Sequence, residues 1–279
     1  MNAGVVALVL LAALLHAVWN AVLKVETDRL LTITLFVAFA AVFAACAAPF
    51  VALPAPASWP YLALSTVLQN LYWVFLAAAY REGDLGQVYP IARGVAPVLV
   101  MPLAAIFAGD PLAATQVVAV TLIAGGIAAL ALRDPAALRR QPGPVLYALG
   151  TGCIIAAYTV VDGMGARRSG SAAGYIVWLF LLSPLPLMAY VAIRRRGELM
   201  ALLGGQWVSG LAGGALTIVA YGLVVWALTL GAMAEVAALR ETSVVFAAII
   251  GSVVLKESFG RWRFVASCVV AAGIVLLRS

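Results

Sequence analysis

Apolar residues dominate the chain in runs of about twenty, broken by short polar stretches. A helix that crosses a bilayer needs roughly 20 consecutive apolar residues. On that ruler the pattern predicts ten spans, at 3–23, 30–50, 59–80, 85–108, 112–132, 144–165, 171–192, 206–229, 231–254 and 262–278. The separators carry helix breakers and charges: KVETDR, LPAPAS, REGD, AGDP, RDPAALRRQPGP, RRSGS, RRRGE and KESFGR. None is long enough for an extramembrane domain. The fold class that follows is an all-α integral membrane protein of ten transmembrane helices.

Composition agrees. The 279 residues are 65% hydrophobic and only 10% charged, against about 25% charged in soluble domains. That much apolar surface exceeds any soluble core, so the lipid bilayer is the main partner. The net charge of +6 reads as a Lys/Arg topology bias rather than a nucleic-acid footprint. Twelve Lys/Arg fall after spans 1, 3, 5, 7 and 9: Lys24, Arg29, Arg81, Arg133, Arg139, Arg140, Arg194, Arg195, Arg196, Lys256, Arg261 and Arg263. Only Arg167, Arg168 and Arg278 lie opposite. The positive-inside rule then puts both termini on the outer side, periplasmic for an inner-membrane protein. No Lys or Arg precedes the first apolar run, so it does not look like a cleaved signal peptide. Cys46, Cys153 and Cys268 stand far apart within apolar runs. They offer no metal spacing and read as small hydrophobic filler.

The chain also repeats. A shift of 148 residues lays GDLGQVYPIARGVAPV (83–98) on GAMAEVAALRETSVVF (231–246), so Gln87 meets Glu235 and Arg93 meets Glu241. The same shift lays AGGIAAL (124–130) on the stretch beginning AGIVLL. A shift of 142 aligns WNAVLK (19–24) with VDGMGA (161–166). Each half, 1–137 and 138–279, holds an odd number of spans. The second copy is therefore expected upside down, giving two inverted five-helix repeats around a central cavity. The Lys/Arg bias reverses between the halves, as inversion requires.

The motifs HAVWNAVLK in span 1, YPIARGVAP in span 4 and AAYTVVDGMGAR in span 6, set in two five-span halves, resemble the drug/metabolite transporter superfamily. The nearest likeness is to its EamA-type ten-helix branch, over essentially the whole chain. That resemblance implies export of amino acids, other small metabolites or amphipathic drugs. Related branches carry nucleotide sugars and phosphorylated sugars.

A lone charge at the bilayer centre costs about 2.5–3.5 kcal/mol, so intramembrane polar groups face an interior, pair, or line water. Arg93 lies deep in span 4, and its repeat-mate Glu241 at like depth in span 9; they are expected to meet near the midplane. Glu235 and Arg240 form a second possible pair. Positions three or four apart share a helix face. Span 1 thus presents His16, Trp19 and Asn20, and span 3 presents Gln69, Tyr72, Trp73, Leu76 and Tyr80. Span 6 presents Tyr158 and Asp162, while Tyr221 and Trp226 of span 8 do not share a face. The expected cavity set is His16, Trp19, Asn20, Tyr72, Trp73, Tyr80, Gln87, Arg93, Tyr158, Asp162, Tyr221, Glu235 and Glu241. Two other roles stay open: the aromatics as an interfacial belt, and the charges as a pair that only fixes helix register.

Aromatic rings with scattered polar groups suit a small zwitterion, its ammonium over a ring and its carboxylate on a guanidinium. A sugar phosphate would want more fixed cations. Pro90, Gly94 and Pro97 interrupt span 4 and mark a possible hinge, or a static kink. Pro184 and Pro186 interrupt span 7, and Gly210 and Gly214 form a small-xxx-small face in span 8. No GxxxxGK[ST] loop occurs, so no nucleotide cofactor and no metal is expected. Transport is downhill or driven by an ion gradient, with Asp162, Glu235 and Glu241 as possible proton carriers. One His in the chain argues against a membrane enzyme. Fusion of the two halves points to a monomer.

Overall fold

The computed structural model describes residues 2–25, 28–82, 85–131, 142–253 and 261–276. In chain order the helices are α1 (Ala3–Val25), α2 (Arg29–Ala47), α3 (Trp59–Glu82), α4 (Leu85–Ala108), α5 (Ala114–Ala131) and α6 (Pro142–Arg168). There follow α7 (Ala172–Leu182), α8 (Leu185–Arg194), α9 (Arg196–Leu230), α10 (Met233–Arg240), α11 (Ser243–Val253) and α12 (Arg261–Leu276). Among the described residues there is no strand. Among the described residues, six segments are long and apolar enough, by length and composition, to cross a membrane: 3–22, 29–50, 91–108, 143–168, 172–194 and 196–230. The fold is an all-helical, multi-pass membrane bundle.

Two expected spans are broken. Span 7 divides at Ser183–Pro184 into α7 and α8. Pro184 and Pro186 have no N–H, so the carbonyls of Phe180 and Leu182 lose the donors that a continuous helix would supply. The opening is stitched from outside: Asn70 Nδ2 of α3 donates to Ser183 O at 2.9 Å. Span 9 divides at Glu241–Thr242 without a proline. Glu241 N and Thr242 N donate three residues back, to Ala238 O and Leu239 O, each at 3.1 Å. The ladder tightens into a 3₁₀-type turn under two consecutive charged side chains. α4, by contrast, runs unbroken through Gly94 and Pro97; the interruptions lie in spans 7 and 9. α9 begins before the expected span and is kinked where that span was placed, at Gln206 (φ −129°, ψ 26°).

Packing follows side-chain size. Gly210, Gly213 and Gly214 of α9 lie against Leu35, Phe36, Phe39 and Ala40 of α2, the face predicted from their spacing. At Gly214 a Cβ would meet Ala40 N at 2.9 Å and Phe36 O at 3.0 Å, and backbone cannot step aside. Gly214→Val is therefore expected to destabilise the protein by about 1–3 kcal/mol through overpacking. The unfolding midpoint in detergent checks this; an unchanged midpoint refutes the close approach. α3 and α4 pack on α6, while α9 and the α10–α11 pair pack on α1. Large apolar side chains such as Ile106, Phe107, Leu146 and Ile193 are exposed on the periphery, as lipid-facing residues should be. Cys46, Cys153 and Cys268 are free and exposed there too. That position suits the small apolar filler expected of them.

The two ends of the bundle are pinned by polar clusters. Near the α2 N-terminus Asp28 caps Leu31 N at 3.1 Å and pairs with Arg195 at 2.5 Å; Arg195 also pairs with Glu198. Burial alone would raise the Asp28 carboxyl, but hydrogen bonds from Arg195 and Leu31 outweigh it and hold the group below its usual range. At the opposite end Arg167 donates to both oxygens of Asp110 (2.5 and 3.3 Å), to Leu228 O (2.9 Å) and to Gly231 O (2.7 Å). Asp110 also accepts from Met233 N at 2.7 Å. One ion pair thus ties the α4–α5 connection, the end of α6, the end of α9 and the start of α10. Beneath it Val5, Val9, Val100, Val160, Val224, Met233 and Leu239 form a dry plug.

Candidate functional site

Below that plug the helices part around a cavity enclosing about 910 Å³ of empty space, its open mouth included. Seven of the thirteen expected residues line it: His16, Trp19, Tyr72, Trp73, Arg93, Tyr158 and Tyr221. Their helical spacing does the work, since α1, α3 and α6 each turn one polar-aromatic stripe to the same centre. The rings touch in sequence. His16 stacks on Trp19 with centroids 5.5 Å apart. Tyr158 meets Tyr72 edge-on at 6.0 Å and Tyr221 at 5.9 Å. Edge-to-face pairs of this kind prefer fixed geometry, so the wall is a preformed aromatic surface.

Arg93 supplies charge. Its Nε lies 2.6 Å from Glu241 Oε2, and its Nη2 donates to Ser243 Oγ at 3.2 Å. The cross-repeat meeting of Arg93 with Glu241 is thus present. Arg240 adds a second guanidinium, with Nη2 3.4 Å from Glu241 Oε1. It belongs to this cluster, whereas Glu235 accepts a hydrogen bond from Gln116 of α5. Arg93 and Arg240 line the cavity, while Glu241 is wholly buried behind them. The break in span 9 makes this possible, because the turn at 241–242 rotates the acid behind the two cations. The cavity therefore sees guanidinium rather than carboxylate.

Besides Glu241, three expected residues stand off the wall. Asn20 Nδ2 donates back to His16 O at 2.7 Å. Glu235 sits near the far end of α10 with Gln116. Asp162 is fully buried one layer behind the cavity, where it accepts from Tyr221 OH (2.6 Å), Tyr175 OH (3.0 Å) and Gln69 Nε2 (3.5 Å). Ser65 bonds to it as well. Gly94 is buried within α4 and Pro97 beside it, both off the lining. The side chains of Tyr80, Gln87 and Pro90, like that of Lys24, lie outside the described residues. Trp226 is exposed on the periphery, on a different face from Tyr221.

Sequence reasoning missed part of the wall. Phe180, Ser183, Pro184 and Thr217 contribute to it. The Pro-Leu-Pro run was the available signal for Ser183 and Pro184, since a broken span inside a bundle marks a cavity. Nothing in an apolar run singles out Phe180 or Tyr175.

Residues 143–279 match the model of the EamA-like transporter family. No curated protein matches the chain. A solved structure described only as "Crystal structure of protein" is similar over 98% of this chain and 94% of its own, with a TM-score of 0.76 at 18% identity. That likeness extends the bundle fold over the first half as well.

Proposed function

We infer from the match of residues 143–279 to the EamA-like transporter family, part of the drug/metabolite transporter superfamily, that the protein is a membrane transporter that exports small metabolites, amino acids first, aromatic or other neutral ones. It does so by alternating access between two inverted five-helix halves, 1–137 and 138–279. It acts as a monomer in the inner membrane, with both termini outside. The observation that carries the substrate class is the cavity's division of labour. The lining holds two guanidiniums, with their counter-acid hidden, and a run of touching rings, Tyr72, Tyr158 and Tyr221. A carboxylate binds the first by charge-assisted hydrogen bonds. An ammonium and an apolar side chain lie against the second, where cation–π contact and burial both favour them. Sugar phosphates fit less well, because Glu241 already offsets one of the two cations.

Reciprocal packing supports the inverted arrangement: α3 and α4 embrace α6 as α9 and α10–α11 embrace α1. Spans 7 and 9 are broken beside the cavity, as transporter helices often are at a midplane site. Counterflow in proteoliposomes, with a panel of labelled amino acids, organic cations and sugars, tests the reading. Exchange of neutral amino acids, with Arg93→Gln raising KM, is the expected result. Clear cation exchange with no amino-acid exchange refutes it.

A further inference from the structure

α9 is longer than a membrane crossing requires. Straight from Arg196 to Leu230, it would measure about 52 Å against about 30 Å of hydrocarbon. The kink at Gln206 divides it. The part from Trp207 to Leu230, about 36 Å long, is enough to span, and it carries the cavity residues Thr217, Ala220, Tyr221 and Val224. Residues 196–205 are left as a segment of about 15 Å, at the end of the bundle where Asp28 caps α2. Trp207 stands exposed at the junction, as aromatic side chains do at a lipid–water boundary.

This short segment has two faces. Leu199 and Leu202 pack inward on the cluster that holds Leu31, Ile33, Leu187 and Val191. Arg196, Met200 and Gly204, each four apart, share the outward face, and all three are exposed. A Cβ at Gly197, Gly204 or Gly205 would meet nothing within 4 Å. Arginines gather at the head of this open face. Arg195 is taken up by Asp28 and Glu198, each at 2.5 Å. Arg29, Arg194 and Arg196 are exposed, and among the described residues their side chains make no ion pair or hydrogen bond. Four arginines thus stand against two acids, and the excess charge sits beside an uncovered apolar surface.

We propose that residues 194–207 bind an anionic phospholipid, its phosphate held by Arg194 and Arg196 and its acyl chain lying on Met200, Gly204 and Trp207. A soluble anion would satisfy the guanidiniums and leave the apolar face bare. A zwitterionic lipid brings an ammonium that offsets its own phosphate. An anionic lipid supplies both the uncompensated charge and the apolar cover. In the orientation inferred above, this end lies on the inner side, where the leaflet surface is negative. The assignment rests on the membrane fold and not on which substrate is carried.

Native mass spectrometry of the full chain in detergent, with equimolar phosphatidylglycerol and phosphatidylcholine, tests it. The wild type is expected to retain phosphatidylglycerol in preference. Each arginine near an anionic surface is worth about a fivefold change in binding. Arg194→Gln or Arg196→Gln should weaken phosphatidylglycerol binding about fivefold, and the two together about thirtyfold, with phosphatidylcholine unchanged. Arg194→Lys with Arg196→Lys keeps the charge and should keep most of the preference. Arg139→Gln with Arg140→Gln, in the α5–α6 connection, is the charge-matched control and should leave it intact. The unfolding midpoint gives a second reading, because a ligand that binds only the folded chain raises it. Phosphatidylglycerol should raise it in the wild type and in the control, but not in the Arg194→Gln/Arg196→Gln variant. Equal retention of the two lipids by the wild type overturns the site. So does an undiminished preference in the Arg194→Gln/Arg196→Gln variant, or an equal loss in the control. Displacement of phosphatidylglycerol by inorganic phosphate at matching concentration would make this a free-anion site and overturn the lipid assignment.

Discussion

Glu241→Gln is expected to destabilise the protein on the order of 3 kcal/mol, whereas Arg93→Gln should cost about 1 kcal/mol. The asymmetry comes from counting charges in the broken span. Glu241 is fully buried, 2.6 Å from Arg93 and 3.4 Å from Arg240. Removing the acid leaves two buried guanidiniums facing one another in a low-dielectric interior. Removing Arg93 leaves Glu241 with Arg240, still a pair. Transport should rank the two variants the other way at the binding step, because Arg93 lines the cavity and Glu241 does not. Arg93→Gln should raise KM about tenfold or more while the unfolding midpoint in detergent falls only about a third as far as in Glu241→Gln. Equal loss of stability in both variants would mean that the cluster does not share charge as its distances indicate.

Arg167→Ala should loosen the end of the bundle that Asp110 closes. The guanidinium spans four connections through Asp110, Leu228 O and Gly231 O, and no other side chain has a fork of that shape. Hydrogen bonds to charged groups contribute about 1.5–3 kcal/mol each when shielded. Arg167 is partly exposed, so solvent screening discounts that figure. A net shift of about 1.4 kcal/mol raises the population of the open end about tenfold. Val160 lies in the dry plug beneath. In a background freed of Cys46, Cys153 and Cys268, a Val160→Cys variant should react with a water-soluble maleimide about ten times faster once Arg167 is truncated. Arg167→Lys should fall between, keeping charge without the fork. An unchanged labelling rate would show that the plug, not the latch, holds this end shut.

Much of this was legible from residue order because two periodicities do most of the placing. Apolar runs of bilayer length located the helices, and three-four spacing turned Trp19, Tyr72, Trp73, Tyr158 and Tyr221 to one centre. The repeat offset alone sets Arg93 against Glu241. What spacing leaves undecided is which layer a polar residue occupies. Asn20, Asp162 and Glu235 all sit on faces that look inward, yet one folds back on its own helix, one lies behind the wall and one lies at a far end. A helical wheel gives an angle, not a depth. The break at Glu241–Thr242 was equally hidden, because it arises from competing charges in tertiary contact rather than from Gly or Pro. In span 4 the reverse holds: Pro97 sits in a helix that stays whole.

The interruption at Ser183–Pro184 has a bearing on how selectivity can change. Its prolines strip amide partners from Phe180 and Leu182, and it abuts the chamber where Phe180, Ser183 and Pro184 contribute surface. The break therefore sets where Phe180 and Ser183 stand on the lining. Its position depends on where the two prolines sit and on Asn70, which donates to Ser183 O from outside the chamber. Changes in preference could then arise at loci that never touch the cargo.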